Sequence, residues 1–161
     1  MINVFKDLPR DKKAPYLKPL MLLKTIEFLE EREIFSNVIP AKININKLNS
    51  FMNEKISLEG YDKGYSPFFF LSIQKKPIWR LYTSNHRLFD RKNFSNKKKV
   101  PKSSKQLLKN VNYALINPEH IEEFSKKNSR QKLKKRLKVL LSSDNNKISQ
   151  EIYKIYDQSK L

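Results

Sequence analysis

The stretch GYSPFFFLSIQKKPIWRLY, residues 64–82, decides how the chain folds. It holds the only Trp, three consecutive Phe and two prolines. Phe69, Leu71 and Ile73 alternate with Phe68, Phe70 and Ser72, and Ile78, Arg80 and Tyr82 alternate with Trp79 and Leu81. Gln74–Lys75–Lys76–Pro77 between the two runs reads as a turn. The alternation predicts an antiparallel hairpin. Both faces of its first arm are apolar, so both are expected to be covered. Trp79 and Leu81 are assigned to the core. Pro67 has two readings. It opens a strand, where a missing N–H costs no ladder bond, or it sits on the rim of a pocket.

The surroundings of this ribbon are strongly basic. The chain of 161 residues has a formal charge of +18. A chain of this length is expected to form one domain with a real core. Residues 1–60 carry 10 Lys/Arg against 8 Asp/Glu, whereas residues 61–161 carry 24 against 8. A genome-wide preference for Lys would not produce that asymmetry. A polyanion is the simplest partner, with its electrostatic footprint on the second part. There is no Cys, hence no disulfide, thiolate chemistry or Cys-based metal site. MINVFKDLPRDKK lacks the apolar core of a signal peptide, and no apolar run approaches membrane-spanning length. A soluble cytoplasmic protein that does not engage membranes is the expectation.

Working outward, KAPYLKPLMLLKTIEFLEERE reads as a turn feeding a helix, with Pro19 in its first turn. Leu20, Leu23, Ile26, Phe28 and Leu29 form its apolar face. Residues 45–57 offer Ile45, Leu48, Phe51, Met52 and Ile56 at helical spacing, with Asn44 or Asn46 as N-cap. The following loop contains both glycines of the chain, Gly60 and Gly64. Residues 106–115 read equally as helix or irregular strand. Pro118 starts a short helix with acidic residues in its first turn. Leu133, Leu137, Leu140 and Leu141 form one stripe, and Ile148, Ile152, Ile155 and Tyr156 form another. The fold class is therefore α+β, mainly helical with a small antiparallel β-hairpin.

Catalytic groupings are scarce. His86 and His120 are the only histidines, and neither sits in a metal-dependent nuclease motif. His120 is expected to be a solvated surface residue. Two glycines leave no phosphate-cradling loop. The expectation is a protein that is not an enzyme by itself and needs no cofactor or metal.

Two segments, APYLKPLMLL and YSPFFFLSIQKKPIWRL, together resemble the N-terminal modules of HNH-type restriction endonucleases, a family that includes sulfur-binding domains recognising phosphorothioate-modified DNA. The resemblance spans roughly residues 12–142. It implies a winged-helix-like helical domain with a core over 14–142, an N-terminal arm over 1–13 and a C-terminal helix over 143–161. All of 1–161 would then be one DNA-binding domain, the reader of a restriction system with a nuclease domain or subunit as partner. It implies a shallow apolar sulfur pocket around Pro67, with Tyr65, Ser66 and Phe70 beside it, and it assigns Leu17 and Lys18 to the same pocket. It also implies DNA contacts from Lys18 and from His86, Arg87 and Arg91 after the hairpin. Lys97, Lys98, Lys99 and Lys102 are added from charge alone, as phosphate contacts. The sequence departs from the family where Ser66 precedes the proline and where Phe70 stands at a position that is small in sulfur-binding members. A Phe70 turned inward would fill the cup.

Physical chemistry supports such a pocket on its own terms. A phosphorothioate sulfur is larger, softer and a poorer hydrogen-bond acceptor than oxygen. A cup of Pro and aliphatic CH groups would strip an oxygen of water without returning hydrogen bonds, a cost that sulfur largely avoids. Two other readings stand beside this one. The first is a winged-helix binder of unmodified DNA, with the helix at 45–57 or the residues after the hairpin in the major groove. The second is an RNA-binding or ribosome-associated protein, which requires exposed aromatics for base stacking.

Overall fold

The computed structural model describes Phe5 and residues 7–158; the ends of the expected N-terminal arm and C-terminal helix lie outside the described residues. The first helix, α1 (Leu17–Glu30), is apolar almost all round, and a helix of that kind belongs at the centre of a fold. It packs against α2 (Ala41–Glu54), α3 (Tyr65–Ile73) and α6 (Lys127–Ser143). Leu20, Met21, Leu22 and Ile26 are wholly buried, and Leu23 and Phe28 nearly so.

Strand β1 (Val38–Pro40) leads directly into α2. The helix starts four residues earlier than its apolar spacing suggests, because Pro40 occupies the N-cap position. Asn44 is a buried residue of the first turn and donates from Nδ2 to the Pro40 carbonyl at 3.0 Å. Ile45, Leu48, Phe51 and Met52 face the core. The two glycines after α2 have separate reasons. Gly60 has φ +69°, a left-handed conformation that glycine adopts without strain. Gly64 is needed for space: a Cβ there would stand 2.8 Å from the Ile45 carbonyl oxygen. The Gly64 N–H donates to Asn49 Oδ1 at 2.8 Å and fixes the start of α3 against α2.

The expected hairpin does not form from its two predicted arms. Tyr65–Ile73 is helix α3, and only Trp79–Tyr82 is a strand, β2. Pro67 is the third residue of α3, within the first turn, where no intrahelical N–H bond is lost. Phe68, Phe69 and Leu71 are fully buried, so the run that reads as a strand covered on both faces is a helix covered on most sides. Trp79 is fully buried as expected. Its ring lies 4.9 Å from that of Phe68, and its Nε1–H donates to the Phe68 carbonyl at 2.9 Å.

The strand partner of β2 is β3 (Tyr113–Ile116), which follows α4 (Ser104–Asn110). Strand order is β1-β3-β2, all antiparallel, with Trp79 opposite Ile116 and Ile39 opposite Ala114. Beyond Tyr82 the chain folds back on β2. Thr83 N–H donates to the Arg87 carbonyl and Phe89 N–H to the Leu81 carbonyl, and Tyr82 bridges to Leu88. The small hairpin thus exists one arm later than expected, with His86 at φ 62° near its turn.

The C-terminal part closes over α1. A 3-10 turn at Pro118–His120 and α5 (Ile121–Ser125) precede α6, whose Leu133, Leu137 and Leu141 are fully buried. Helix α7 (Lys147–Gln158) adds Ile152 and Tyr156 to the core. His120 is not a surface residue: it is 5% exposed, and its ring lies 5.5 Å from that of Phe5 in an edge-on arrangement. An apolar burial partner far away in sequence reverses the solvated reading. The molecule is α+β, mainly helical with a small antiparallel sheet. No helix among the described residues is long and apolar enough to cross a membrane.

Candidate nucleic-acid interface

Helix α3 lies between two cavities. The first, of about 290 Å³, is lined by Leu17 and Lys18 from the start of α1, by Ser66, Pro67 and Phe70 from α3, and by Pro9, Arg10, Asp11, Ala14 and Pro15 from the preceding chain. Five of the six residues expected at the pocket meet here, although the two segments are about fifty residues apart in sequence. Phe70 forms a half-buried wall and leaves the cup open. Tyr65 is the exception. It does not line the cavity. Its half-buried ring packs on the core instead, and burial with the nearby Asp62 carboxylate raises its phenol pKa.

Lys18 is half-buried and makes no ion pair among the described residues; its Nζ donates to Gln74 Oε1 at 2.6 Å. A neutral amide offsets little of the cost of desolvating an ammonium. Burial accordingly pulls its pKa from 10.5 down to about 8. The first turn of α1 holds no acidic side chain, and the helix dipole there also disfavours a cation. The wall thus presents an under-compensated positive charge beside proline and aliphatic surface.

The N-terminal arm belongs to this cavity, which the sequence alone does not suggest. Arg10 Nη1 contacts Asp144 Oδ1 at 2.5 Å and donates to the Leu140 carbonyl at 3.3 Å. Asp144 is buried between α6 and α7 and also accepts from Ser149 Oγ at 3.1 Å. The arm is therefore pinned to the C-terminal helices, at a separation of 134 residues. No local pattern marks such a pairing.

Apart from Lys18 in α1, the cations assigned to DNA contacts lie in the connection between β2 and β3. Residues 83–112 carry nine Lys/Arg and one Asp. His86 and Arg87 are exposed at the turn, and His86 Nδ1 lies 3.1 Å from the Tyr113 hydroxyl. Arg91 is held in place: its Nε and Nη2 donate to the carbonyls of Lys99 and Lys98, at 3.2 and 2.8 Å. That pairing ties the Lys97–Lys99 segment to the hairpin. Lys97, Lys98 and Lys102 are exposed and Lys99 is half-exposed.

The second cavity, of about 250 Å³, opens between the other side of α3 and this hairpin. Phe69, Ile73, Pro77, Leu81, Leu88 and Phe89 give it an apolar lining, and Ser72, Arg80 and Arg91 complete it. The residue pattern does not announce it, because alternation alone puts the hairpin wall one arm too early. Among the described residues no group of three or more His, Asp or Glu side chains is placed to hold a metal ion. No family model, curated protein or solved structure matches this chain.

Proposed function

We propose that this chain is a DNA-binding module that recognises phosphorothioate-modified DNA, and that it serves as the reader of a restriction system. The observation that carries the reading is the first cavity. It joins Leu17, Lys18, Ser66, Pro67 and Phe70 in one apolar cup with one under-compensated ammonium. Half-buried Ala14 and Pro15 offer CH surface suited to sulfur, with the buried Leu17 and Pro67 lining the cup beside them. Lys18 offers charge to the phosphorothioate anion. The basic β2–β3 connection supplies sequence-independent attraction to phosphates.

A second reading, a winged-helix binder of unmodified DNA, is favoured by the chain order. Two successive helices, α2 and α3, are followed by antiparallel strands joined by a long basic connection. In a helix-turn-helix arrangement the second helix would enter the major groove. Here that helix is YSPFFFLSI, with no cation, carboxylate or amide for bidentate base contacts. An apolar, uncharged α3 suits a backbone pocket better than base readout.

The test compares one duplex with and without a single phosphorothioate, at equal salt, by gel shift or anisotropy. Preferential binding to the sulfur duplex is expected; equal affinities would transfer the assignment to the winged-helix reading. The reader role also predicts no DNA cleavage by the isolated chain with Mg²⁺, Mn²⁺ or Zn²⁺. Metal-dependent turnover by purified protein would overturn that part.

A further inference from the structure

We propose that the cavity between α3 and the hairpin after β2 is a second DNA subsite, which receives one nucleobase displaced from the stack by Leu88. This inference rests on the DNA-binding reading, but not on sulfur recognition. The cavity has six apolar lining residues, two guanidinium groups and no carboxylate. That combination fits a ligand with apolar faces and several hydrogen-bond acceptors, which describes a nucleobase. At about 250 Å³ it lies near the lower limit of small-molecule clefts, so it suits one ring system.

The two guanidiniums differ in a useful way. Arg91 is anchored by two carbonyls and stands over the Phe69 ring at 5.7 Å, so it is a fixed part of the wall. Arg80 is exposed and makes no side-chain hydrogen bond or ion pair among the described residues. It can reach acceptors such as guanine O6 and N7. Leu88 is 58% exposed at the rim, in a hairpin whose turn carries His86 and Arg87. An apolar side chain between cations is the usual wedge by which proteins unstack base steps. The occupant is thus argued from charge and from the pairing of a wedge with a cup. Phe70, which lines the first cavity, and Ile73, which lines this one, are one helical turn apart on α3.

The experiment uses the full chain and duplexes carrying 2-aminopurine, whose fluorescence is quenched by stacking. The probe base is moved stepwise along duplexes with one phosphorothioate and along matched duplexes without it. A several-fold fluorescence rise on binding is expected at one position. A mismatch opposite that position should tighten binding by roughly tenfold, because the base is then already partly unpaired. Leu88→Ser and Arg80→Gln change exposed side chains, so melting temperatures should hold while the fluorescence rise disappears. Binding without any rise at any position would overturn the subsite and leave the sulfur reading intact. Absence of binding to every duplex at low salt would overturn both. A rise that persists undiminished in both variants would also overturn this assignment.

Discussion

Helix α3 and the connection from β2 to β3 are neighbours with opposite chemistry. Over nine residues α3 carries no charge, and it forms walls of both cavities. Over residues 83–112 the connection carries nine cations and one carboxylate, most of them exposed. The contrast separates two tasks that binding proteins often mix. On the proposed reading, long-range attraction would come from the connection, where most of the lysines are exposed. Discrimination would come from α3, where small differences in apolar fit and desolvation can be felt. If that division is right, changes in the two regions should alter different observables.

The largest effect should come from a change that ignores the division. Trp79 is fully buried, touches Phe68 and supplies the N–H that satisfies a carbonyl of α3. Trp79→Ala should cost about 3–5 kcal/mol of stability. Melting temperature should fall, and binding to sulfur-containing and plain DNA should fall together. A folded Trp79→Ala protein that failed only in sulfur binding would break the comparison, because it would put discrimination in the core.

Next in size is the charge-driven term. Replacing Lys97, Lys98 and Lys99 with Gln should lower the slope of log affinity against log salt by roughly 0.9 for each phosphate no longer neutralised. The preference for sulfur DNA over plain DNA should stay nearly unchanged. Titrations at several salt concentrations read both quantities at once. A preference that vanished with the three lysines would place discrimination on the basic connection.

Pro67→Ala is the matching change on α3. Pro67 is itself buried, so its ring shapes the wall of the cup more than it offers surface, and losing that wall should cost at most about 1–2 kcal/mol of sulfur binding. That corresponds to at most roughly five- to thirtyfold in affinity. The loss should fall on the sulfur duplex and spare the plain one. An unchanged ratio of the two affinities in a folded variant would remove the sulfur-pocket assignment.

These regions are unequally legible in the sequence. The Leu and Ile stripes of α1, α6 and α7 announce themselves by period, and so do their buried faces. The run Phe68–Ile73 does not. A nearly continuous run of aromatic and aliphatic residues satisfies a two-residue and a 3.6-residue period equally. Pro67 in a first turn and the tight Gly64 contact are the local signs of helix. β2 and β3 pair across some thirty residues, and that partner choice has no local signal. The pocket is legible in part because its residues sit in two compact segments, Leu17–Lys18 and Ser66–Pro67. Its third wall is hidden, because Arg10 finds Asp144 across almost the whole chain. His120 misleads for the same reason: what buries it includes Phe5.

The smallest expected effect is also the most specific to the cup, and it concerns pH. Lys18 has a pKa of about 8 because it is desolvated beside a neutral amide. Arg10 and Asp11 are the other charged side chains lining the cavity. An anion bound there would favour the ammonium form and move the pKa back up, so binding above pH 8 takes up a proton. The sign follows from linkage: affinity is level below the free-state pKa and falls as pH rises through it, until the bound-state pKa is reached. If the anion restores an ordinary lysine value, affinity for the sulfur duplex should drop about tenfold between pH 7 and pH 9. Lys18→Met should bind more weakly at pH 7 and show little of that drop. Plain-DNA binding does not call on the cup, so it should change far less over the same range. Titrations of both duplexes at pH 7, 8 and 9 would measure this. Equal pH dependence for wild type and Lys18→Met would show that Lys18 does not meet the ligand, and would return the cavity to a packing defect beside an uncharged helix.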